Sequence, residues 1–454
     1  MGQNWSKAME RKELIEIVKT NGIAGAGGAG FPTYAKIDAR TETIILNCAE
    51  CEPLLKLHRQ LLEAHTYEIL STLQIMAEAV GAKSVLIGVK EAYQETITAI
   101  KQHMSSCKLL CLGLLPEIYP AGDEVVLIYE TTGKVVPPGS IPIEIGVAVF
   151  NVETVYNIYQ ALNNKKAVSS KYLTITGEVK NPCTKVVPIG MTVQEAIKMA
   201  GGETAKHPAY VLGGPMTGQI GNKNDVITKT TNAIIVLEES HPVVQKKNEN
   251  IRINLKRAMA SCCQCQMCTD LCPRNLLGHP IEPHAFMRAA TSGTTRDIKP
   301  FLNTMFCSAC GICEMYGCMQ GLSPRSLIVE YKNGLKSNGI KMPTAKAEPV
   351  KKERSYRQIP VKRLRARLGL EKYNVDAPLD EHSIEVLYVK IPMSQHIGAP
   401  AVPIVSIGER VEADQMIGAA KENALSIPVH ASIDGIITDV NEQFVAITKQ
   451  GYHG

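Results

Sequence analysis

Fourteen cysteines occur in this chain of 454 residues, and nine of them fall between Cys262 and Cys318. Disulfide-stabilised proteins are usually short, whereas these cysteines form two compact runs inside a long sequence. The first run, from Cys262 to Pro273, reads Cys-x-x-Cys-x-x-Cys-x-x-x-Cys-Pro, and the second, from Cys307 to Cys318, reads Cys-x-x-Cys-x-x-Cys-x4-Cys. This concentration predicts a metal-binding segment, and it constrains the fold more than any other feature of the chain.

The spacing within the two runs predicts two four-iron, four-sulfur clusters. Three thiolates on a tight loop can bind three irons of one cubane, while the fourth points away and reaches the second cubane. Zinc sites favour paired Cys-x-x-Cys knuckles, so zinc is the less favoured alternative. The predicted ligands of one cluster are Cys262, Cys265, Cys268 and Cys318, and those of the other are Cys272, Cys307, Cys310 and Cys313.

Length and charge exclude several classes of protein. A chain of this length is expected to form about three or four domains. The formal charge of +5 is small, and no stripe of basic and aromatic residues predicts nucleic-acid binding. No apolar run approaches the ~20 residues of a membrane span, and the first residues lack the apolar core of a secretory signal. We therefore expect a soluble, cytoplasmic protein with no direct membrane span.

The hydrophobic pattern divides the chain into segments of different character. Alternating strands, for example 43–47 and 84–89, and helices, including one long helix over 57–80, predict an α/β domain over 1–165. Residues 166–245 form a small α+β module, and 246–335 are helical and cysteine-rich. Residues 336–380 are interpreted as a basic linker, lying over the surface or disordered. Short strands with many Gly and Pro turns predict an all-β domain over 381–454.

A glycine-rich loop, Gly25 to Gly30, satisfies the Gly-x-Gly-x-x-Gly pattern. A Rossmann fingerprint requires a strand before the loop and a helix after it. Here a predicted helix precedes the loop and Phe31-Pro32 follows it at once, so the ordinary dinucleotide interpretation is disfavoured. Glycines nevertheless expose backbone N–H groups and allow a phosphate or a flat ring to approach closely. Lys36 follows within reach of a phosphate.

Three further polar stretches lie where chemistry is expected. Asn47–Pro53 (NCAECEP) and Asn151–Thr154 (NVET) each follow a predicted strand, the position where α/β sheets bind ligands. Gly122-Asp123-Glu124 precedes an apolar helix. Each stretch alone is typical of a turn or of a helix N-cap.

Together, GAGGAGFPTYAK, NCAECEP, GDE and NVET resemble the flavin- and NADH-binding subunit of respiratory complex I, and more closely the C subunit of the Rnf complex. The resemblance implies a Rossmann-like domain that binds FMN and NADH. It implies FMN contacts from Gly25, Gly27, Gly28, Lys36, Asn47, Glu50, Asp123, Glu124, Asn151 and Thr154. It implies NADH contacts from Phe31 and Glu52, with Glu52 as the candidate catalytic residue. Ala26, Ala49 and Phe150 depart from the pattern of complex I.

The order of the domains narrows the resemblance. Residues 166–245 resemble a soluble-ligand-binding (SLBB) β-grasp domain, 246–335 a two-cluster ferredoxin domain, and 381–454 the barrel-sandwich domain that stands at the N-terminus of the Rnf protein. A C-terminal position is similar to the cobalamin reductase family of propanediol-utilisation bacterial microcompartments. The fold class expected is therefore a multidomain α/β and α+β protein.

This family resemblance implies a function. Electrons would pass from NADH, as substrate, through FMN and two [4Fe-4S] clusters to cobalamin or a cobalamin-dependent enzyme system. It also implies location in a bacterial microcompartment, with a shell protein as partner. Two alternatives stay open at this point: a non-enzymatic electron relay that uses the clusters without NADH, and an Rnf-type protein docked on a membrane complex.

Overall fold

The computed structural model describes residues 9–292, 296–382 and 384–449. Over these residues the fold is the predicted multidomain one, with an α/β unit, a mixed-sheet unit, a helical cysteine-rich unit and an all-β unit. Within the described residues, no helix is both long and apolar enough to cross a bilayer.

The N-terminal unit is a parallel sheet covered by helices. Its strands are β1 Thr43–Cys48, β2 Ser84–Lys90, β3 Leu110–Leu115 and, after a short strand β4 Ile118–Tyr119 outside this sheet, β5 Val147–Asn151. Its helices are α1 Arg11–Thr20, α2 Leu57–Ala64, α3 Thr66–Val80, α4 Gln94–Gln102, α5 Glu124–Thr132 and α6 Val152–Asn164. The strand order is β3-β2-β1-β5, and every pair is parallel. Helices on both faces explain why the strands are continuous apolar runs.

The register of this sheet brings the polar stretches together. Strands β1 and β5 are neighbours, and Asn47 pairs with Asn151. Because parallel strands end at the same edge, the residues that follow them meet there. Asp123 caps helix α5, where its side chain accepts hydrogen bonds from the backbone N–H groups of Val125 and Val126.

The single helix predicted over 57–80 is wrong, because the chain breaks at His65 into α2 and α3. His65 has the non-helical angles φ −127° and ψ 39°. Its ring stacks on Tyr156 with 4.3 Å between ring centroids, and its Nε2 lies 2.8 Å from Glu381 Oε1. These distant contacts hold the residue out of the helix, and local sequence carries no sign of them.

The second unit is a six-stranded mixed sheet. Its elements are β6 Ser170–Gly177, β7 Cys183–Pro188, α7 Val193–Met199, β8 Pro208–Leu212, β9 Gln219–Gly221, β10 Ala233–Glu238 and, from far along the chain, β12 Leu379–Asp380. The strand order is β12-β7-β6-β10-β8-β9. Helix α7 begins with a capping box in which Thr192 and Glu195 satisfy each other's backbone N–H groups.

The cysteine-rich unit consists of short helices around a small aromatic core. The helices are α8 Pro242–Lys247, α9 Ile251–Ser261, α10 Met267–Asp270, α11 Pro273–Leu276, α12 Pro283–Thr291, α13 Lys299–Leu302 and α14 Pro324–Ser337. Phe286, Phe301 and Tyr331 pack against one another with centroids 5.2–5.9 Å apart. Such a core is small, so the cysteine loops lie close to it.

Residues 336–380 were expected to form a linker, but the second half of this segment is folded and packed. It contains α15 Arg354–Arg357, β11 Ile359–Pro360, which pairs with β4, and α16 Val361–Arg367. Ile359, Leu364 and Tyr373 are buried in a shared apolar cluster, and strand β12 completes the second sheet. The apolar residues recur at helical spacing between arginines and lysines, so the basic composition masked a packed segment.

The C-terminal unit is all-β, as predicted. Its strands are β13 Tyr388–Pro392, β14 Val402–Pro403, β15 Arg410–Val411, β16 Met416–Ala419, β17 Val429–His430, β18 Gly435–Val440 and β19 Phe444–Thr448. They form two antiparallel sheets of orders β13-β19-β18-β15 and β14-β16-β17. The unit contacts the glycine loop, since Ile397 N donates to Gly30 O at 3.3 Å.

Candidate functional site

A cavity of about 420 Å³ opens at the carboxyl edge of the parallel sheet. This volume lies in the range of small-molecule sites. The sequence-predicted residues that line it are Gly25, Gly27, Gly28, Phe31, Lys36, Asn47, Glu50, Glu52, Glu124, Asn151 and Thr154. We call it the sheet-edge cavity. The fold thus gathers four stretches that lie up to about 130 residues apart in sequence.

The glycine loop forms one wall of the sheet-edge cavity. Gly25 N donates to Phe31 O at 2.9 Å, which closes the loop, and Ala26 N donates to Thr154 Oγ1 at 2.9 Å. Gly28 has φ +67°, with open space where a Cβ would lie. Glycine adopts this left-handed conformation at little cost, and the missing side chain leaves the cavity open to a ligand.

Amide side chains fix the opposite wall. Asn47 Nδ2 donates to Gly122 O at 2.9 Å. This hydrogen bond ties the stretch 47–53 to the stretch 122–124. Asn151 caps helix α6 by accepting from Glu153 N, and its Nδ2 lies 2.9 Å from His58 Nε2. Burial lowers the pKa of His58 to about 3, so the ring is neutral and Nε2 accepts this hydrogen bond.

Two buried oxygens at the sheet-edge cavity lack partners within the described residues. Glu50 Oε1 accepts from His58 N at 2.8 Å, but Glu50 Oε2 has no hydrogen bond, and neither has Asn232 Oδ1. Burial raises the pKa of Glu50 to about 7. Unpaired buried polar atoms are costly in a protein interior, so their presence indicates that a ligand with hydrogen-bonding groups belongs there.

Asp123 is the predicted site residue that does not line the cavity. Its neighbours Gly122 and Glu124 do, but its own carboxylate caps helix α5 and pairs with Arg274 at 2.9 Å. Lys36 lines the cavity as expected, and its Nζ contacts Glu124 Oε1 at 3.0 Å and Val149 O at 3.1 Å. The direct flavin contact implied for Asp123 is therefore not supported.

Glu52 lines the cavity, but its carboxylate is already engaged. Oε2 accepts from Met216 N at 2.9 Å, while Oε1 accepts from Thr217 N at 2.9 Å and from Thr217 Oγ1 at 2.5 Å. All three donors lie on the loop that follows β8. This geometry favours a structural link between the α/β unit and the second unit over the catalytic role implied by resemblance.

The eight predicted cysteine ligands line two separate cavities. The first, here the outer cysteine cavity, contains Cys262, Cys265, Cys268 and Cys318, with the surplus Cys263 beside them. The second, here the inner cysteine cavity, contains Cys272, Cys307, Cys310 and Cys313. This grouping is the one that the spacing predicts, including the exchange of the fourth cysteine between the runs.

The two cysteine loops share one backbone conformation. Gln264 and Ala309 occupy the same position of their loops, with φ of 56° and 58°, and Gln266 and Gly311 are the next matching pair, with φ of 65° and 84°. Left-handed residues at equal spacing turn successive thiols toward one side. The extra residue of the second run is accommodated by a π-helical turn over Cys313–Gly317. Such turns often mark functional insertions.

Arginine side chains distinguish the inner cysteine cavity from the outer one. Arg274 and Arg325 line the inner cavity, and the buried Nε of each lacks an acceptor among the described residues. The described residues that line the outer cavity include Gln264, Gln266 and Gln320, but neither lysine nor arginine. An acceptor-rich, negatively charged group between the inner cysteines would satisfy both donors.

Comparison with known proteins gives a full-length match. The chain is 38% identical over 443 residues to the cobalamin reductase PduS of Salmonella typhimurium, which covers 97% of this chain and 98% of that protein. It is also 38% identical over 445 residues to cobalamin reductase PduS of Citrobacter freundii, covering 98% of each. The chain belongs to the cobalamin reductase PduS family. It is accordingly an oxidoreductase.

Family models match each unit of this PduS-family chain. The Nuo51 FMN-binding domain matches residues 18–160, the SLBB domain 172–219, the 4Fe-4S dicluster domain 261–323 and the RnfC barrel-sandwich hybrid domain 372–452. The C subunit of the ion-translocating oxidoreductase complex of Erwinia tasmaniensis is 33% identical over 276 residues, 60% of this chain and 33% of that protein. The chain therefore combines an FMN-binding domain with an iron–sulfur domain.

Among the lining residues of the sheet-edge cavity that sequence reasoning missed are His58 and Asn232. His58 is the second residue of helix α2, and Asn232 directly precedes strand β10 of the second unit. Neither stands in a motif that indicates a ligand. Asn232 reaches the sheet-edge cavity only because the second unit packs against the α/β unit.

Proposed function

We propose that this chain is an NADH-dependent reductase that transfers electrons through FMN and two [4Fe-4S] clusters to cobalamin. The curated relatives named cobalamin reductase support cobalamin as the acceptor. The resemblance of the domain order to propanediol-utilisation proteins is the reason to propose a place in a bacterial microcompartment, with a cobalamin-dependent enzyme system and a shell protein as partners. The sheet-edge cavity is the observation that carries the proposal.

The residues of the sheet-edge cavity fit FMN. The glycine loop and Lys36 offer backbone N–H groups and a cation for a phosphate. Glu50 Oε2 and Asn232 Oδ1 offer unpaired acceptors for the polar groups of a flavin. When bound, FMN would accept a two-electron hydride and release the electrons singly, which is why it stands between NADH and one-electron clusters.

Residues around the sheet-edge cavity would bind and orient the flavin and the nicotinamide. Asn47 ties the end of strand β1 to Gly122, and Asn151 ties the end of strand β5 to His58 of helix α2. Phe31, with 36% of its surface exposed, stands at the mouth of the sheet-edge cavity, where a nicotinamide ring could stack. Glu52 ties the cavity wall to the loop at Met216 and Thr217 of the second unit.

The two cysteine cavities would hold one cluster each. Burial raises the pKa of Cys272 to about 11 and that of Cys268 to about 12, so these thiols stay protonated without metal. Thiolate is the form that binds iron, so cluster assembly releases protons. The proposal assigns Cys262, Cys265, Cys268 and Cys318 to the outer cavity, and Cys272, Cys307, Cys310 and Cys313 to the inner one.

An anaerobic titration tests the proposal. The reconstituted protein is analysed for iron and flavin and then titrated with NADH while its absorbance is followed. We expect about eight irons and about one FMN per chain, with NADH bleaching both the flavin and the iron–sulfur bands. Cobalamin added next should reoxidise the protein. Irons without flavin, and no response to NADH, would instead identify an electron relay.

Gly28→Leu is expected to weaken FMN binding at least about tenfold, because the side chain enters the sheet-edge cavity and costs more than ~1.4 kcal/mol. Gly81→Leu is a matched control, since Gly81 has φ +74° and equally open surroundings at the end of helix α3. Both variants suffer similar backbone strain, but only the first should lose flavin. Fluorescence titration with FMN measures the difference. Equal FMN affinities of the two variants would show that FMN does not bind in the sheet-edge cavity.

A further inference from the structure

The inner cysteine cavity adjoins the sheet-edge cavity through a single ion pair. Asp123 lies between Gly122 and Glu124, which both line the sheet-edge cavity. Its carboxylate contacts the guanidinium of Arg274 at 2.9 Å, and Arg274 lines the inner cysteine cavity. Both side chains are largely buried, at 11% and 17% exposure. The ion pair thus links a residue that lines the inner cysteine cavity to a residue whose two chain neighbours line the sheet-edge cavity.

A second contact runs beside this ion pair. The hydroxyl of Tyr119 donates to the backbone carbonyl of Cys310 at 2.6 Å. Tyr119 belongs to an apolar cluster against which Cys51 and Leu55, which line the sheet-edge cavity, and Cys310 also pack. The space between the two cavities is therefore filled by protein.

The outer cysteine cavity lies toward solvent. Cys263 and Cys265 are exposed, whereas Cys313 in the inner cavity is buried. Met319, directly after the outer ligand Cys318, has 70% of its surface exposed. An acceptor could approach the outer site from solvent, whereas residues of the inner site contact Tyr119 and Asp123 of the α/β unit and Met216 of the second unit.

We propose that the inner cluster, held by Cys272, Cys307, Cys310 and Cys313, is the first to accept electrons from the flavin, and that Arg274 and Arg325 are positioning residues that stabilise its reduced form. The outer cluster then delivers electrons to the acceptor. This inference rests on the proposed function, because it takes FMN and two clusters as given.

The physical reason lies in the charge of the cluster. One added electron makes a four-thiolate cluster more negative, and positive charge or N–H donors near its sulfurs favour that reduced form. Arg274 and Arg325 line the cavity, and each has a buried Nε–H without an acceptor among the described residues. Because Asp123 balances the charge of Arg274, the main contribution of Arg274 is this N–H donor. Solvent can stabilise the outer cluster in a similar way, so the arginines matter most for the buried cluster.

The two electrons of NADH and the accompanying protons balance over the whole sequence of transfers. NADH loses a hydride, two electrons and one proton, to the flavin and leaves as NAD⁺, and the reduced flavin takes up one proton from water. The inner cluster accepts the two electrons one at a time and passes each to the outer cluster. The flavin returns its two protons to water, and an acceptor such as cobalamin takes the electrons.

Single-ligand variants test the order. In Cys265→Ala, which disturbs the outer cluster, NADH should still produce the electron paramagnetic resonance signal of a reduced inner cluster. In Cys310→Ala, NADH should reduce the flavin, yet the outer cluster should be reduced by dithionite alone. The opposite pattern, with NADH reaching the outer cluster in Cys310→Ala but not the inner one in Cys265→Ala, would overturn the inference.

Arginine variants keep the test decisive if the cysteine variants fail to fold. A redox titration followed by paramagnetic resonance should show one cluster signal shifted to more negative potential in Arg274→Gln and in Arg325→Gln, with the other signal unchanged. Arg274→Lys should restore part of the shift. Arg354→Gln is the matched control, because Arg354 forms a similarly buried pair with Glu130 and lines neither cysteine cavity.

The outcomes separate the two proposals. If the wild-type protein binds no flavin or does not respond to NADH, the proposed function fails, whatever the arginine variants show. If NADH reduces the wild type but neither arginine variant moves a cluster potential, or both clusters shift equally, the proposed function stands and the roles of Arg274 and Arg325 are refuted.

Discussion

Lys171→Met is expected to destabilise the protein by about 3–5 kcal/mol, the cost of leaving a buried charge without its partner. Lys171 and Glu153 form a hydrogen-bonded ion pair in which each side chain has 1% of its surface exposed. Glu153 also accepts from Tyr172 N at 3.2 Å. Burial raises the pKa of Glu153 and lowers that of Lys171, while their mutual attraction opposes both shifts.

This pair joins two units beside the sheet-edge cavity. Glu153 lies in the first turn of helix α6, two residues after Asn151, and Lys171 lies on strand β6. Loss of the pair should therefore also loosen the wall that holds Asn151. We expect Lys171→Met to lower both the midpoint of denaturant unfolding and the retention of FMN.

Two further variants make the experiment specific. Lys83→Met removes an exposed partner of Glu42, with 76% and 51% of the two side chains exposed, and should cost less than about 1 kcal/mol. The double variant Glu153→Gln with Lys171→Met should recover part of the lost stability, because no unpaired charge remains. A single variant as stable as Lys83→Met would contradict a charged, buried pair.

Glu50→Gln is expected to stabilise the apoprotein above neutral pH by up to about 3 kcal/mol, because the wild-type carboxylate must then be charged in a buried position. Burial raises the pKa of Glu50 from 4.5 to about 7. A carboxyl group with a raised folded pKa contributes stability that is fully present below about pH 4.5. That stability is lost as the pH rises through about 7.

The measurement is denaturant unfolding of wild type and Glu50→Gln from pH 5 to pH 9 without flavin. The difference between the two proteins should be small at pH 5, grow to about pH 7 or 8 and then stay constant. Glu95→Gln, at an exposed position on helix α4, should change stability by less than about 0.5 kcal/mol throughout. A constant difference across the whole range would show that Glu50 does not titrate in this window.

The cysteine motifs show how far local sequence reaches. Their spacing alone predicted which four cysteines share a cavity, because a loop of three thiols and a fourth pointing away is a short-range geometric constraint. The extra residue before Cys318 was visible in the sequence, but the backbone conformation that accommodates it was not. The π-helical turn over Cys313–Gly317 depends on packing around the loop.

The sheet-edge cavity shows the limit of motif reasoning. The stretches around Gly25, Asn47 and Asn151 could be recognised because strand ends and glycine loops have local signatures. The distant residues that pair with the acidic side chains of these stretches and of Gly122–Glu124 could not be recognised from the sequence. Asp123 pairs with Arg274, 151 residues away, and Glu52 binds Met216, 164 residues away.

The sequence by itself therefore determined the class of each unit, which cysteines share a cavity and the stretches that surround the sheet-edge cavity. These features depend on hydrophobic periodicity, turn chemistry and loop spacing, which act over a few residues. The tertiary structure alone decided that Asp123 pairs with Arg274 of the inner cysteine cavity, that Glu52 links two units, and that residues 359–380 are packed. Such contacts join distant segments, and their free energy comes from burial and charge pairing that exist only after the units meet.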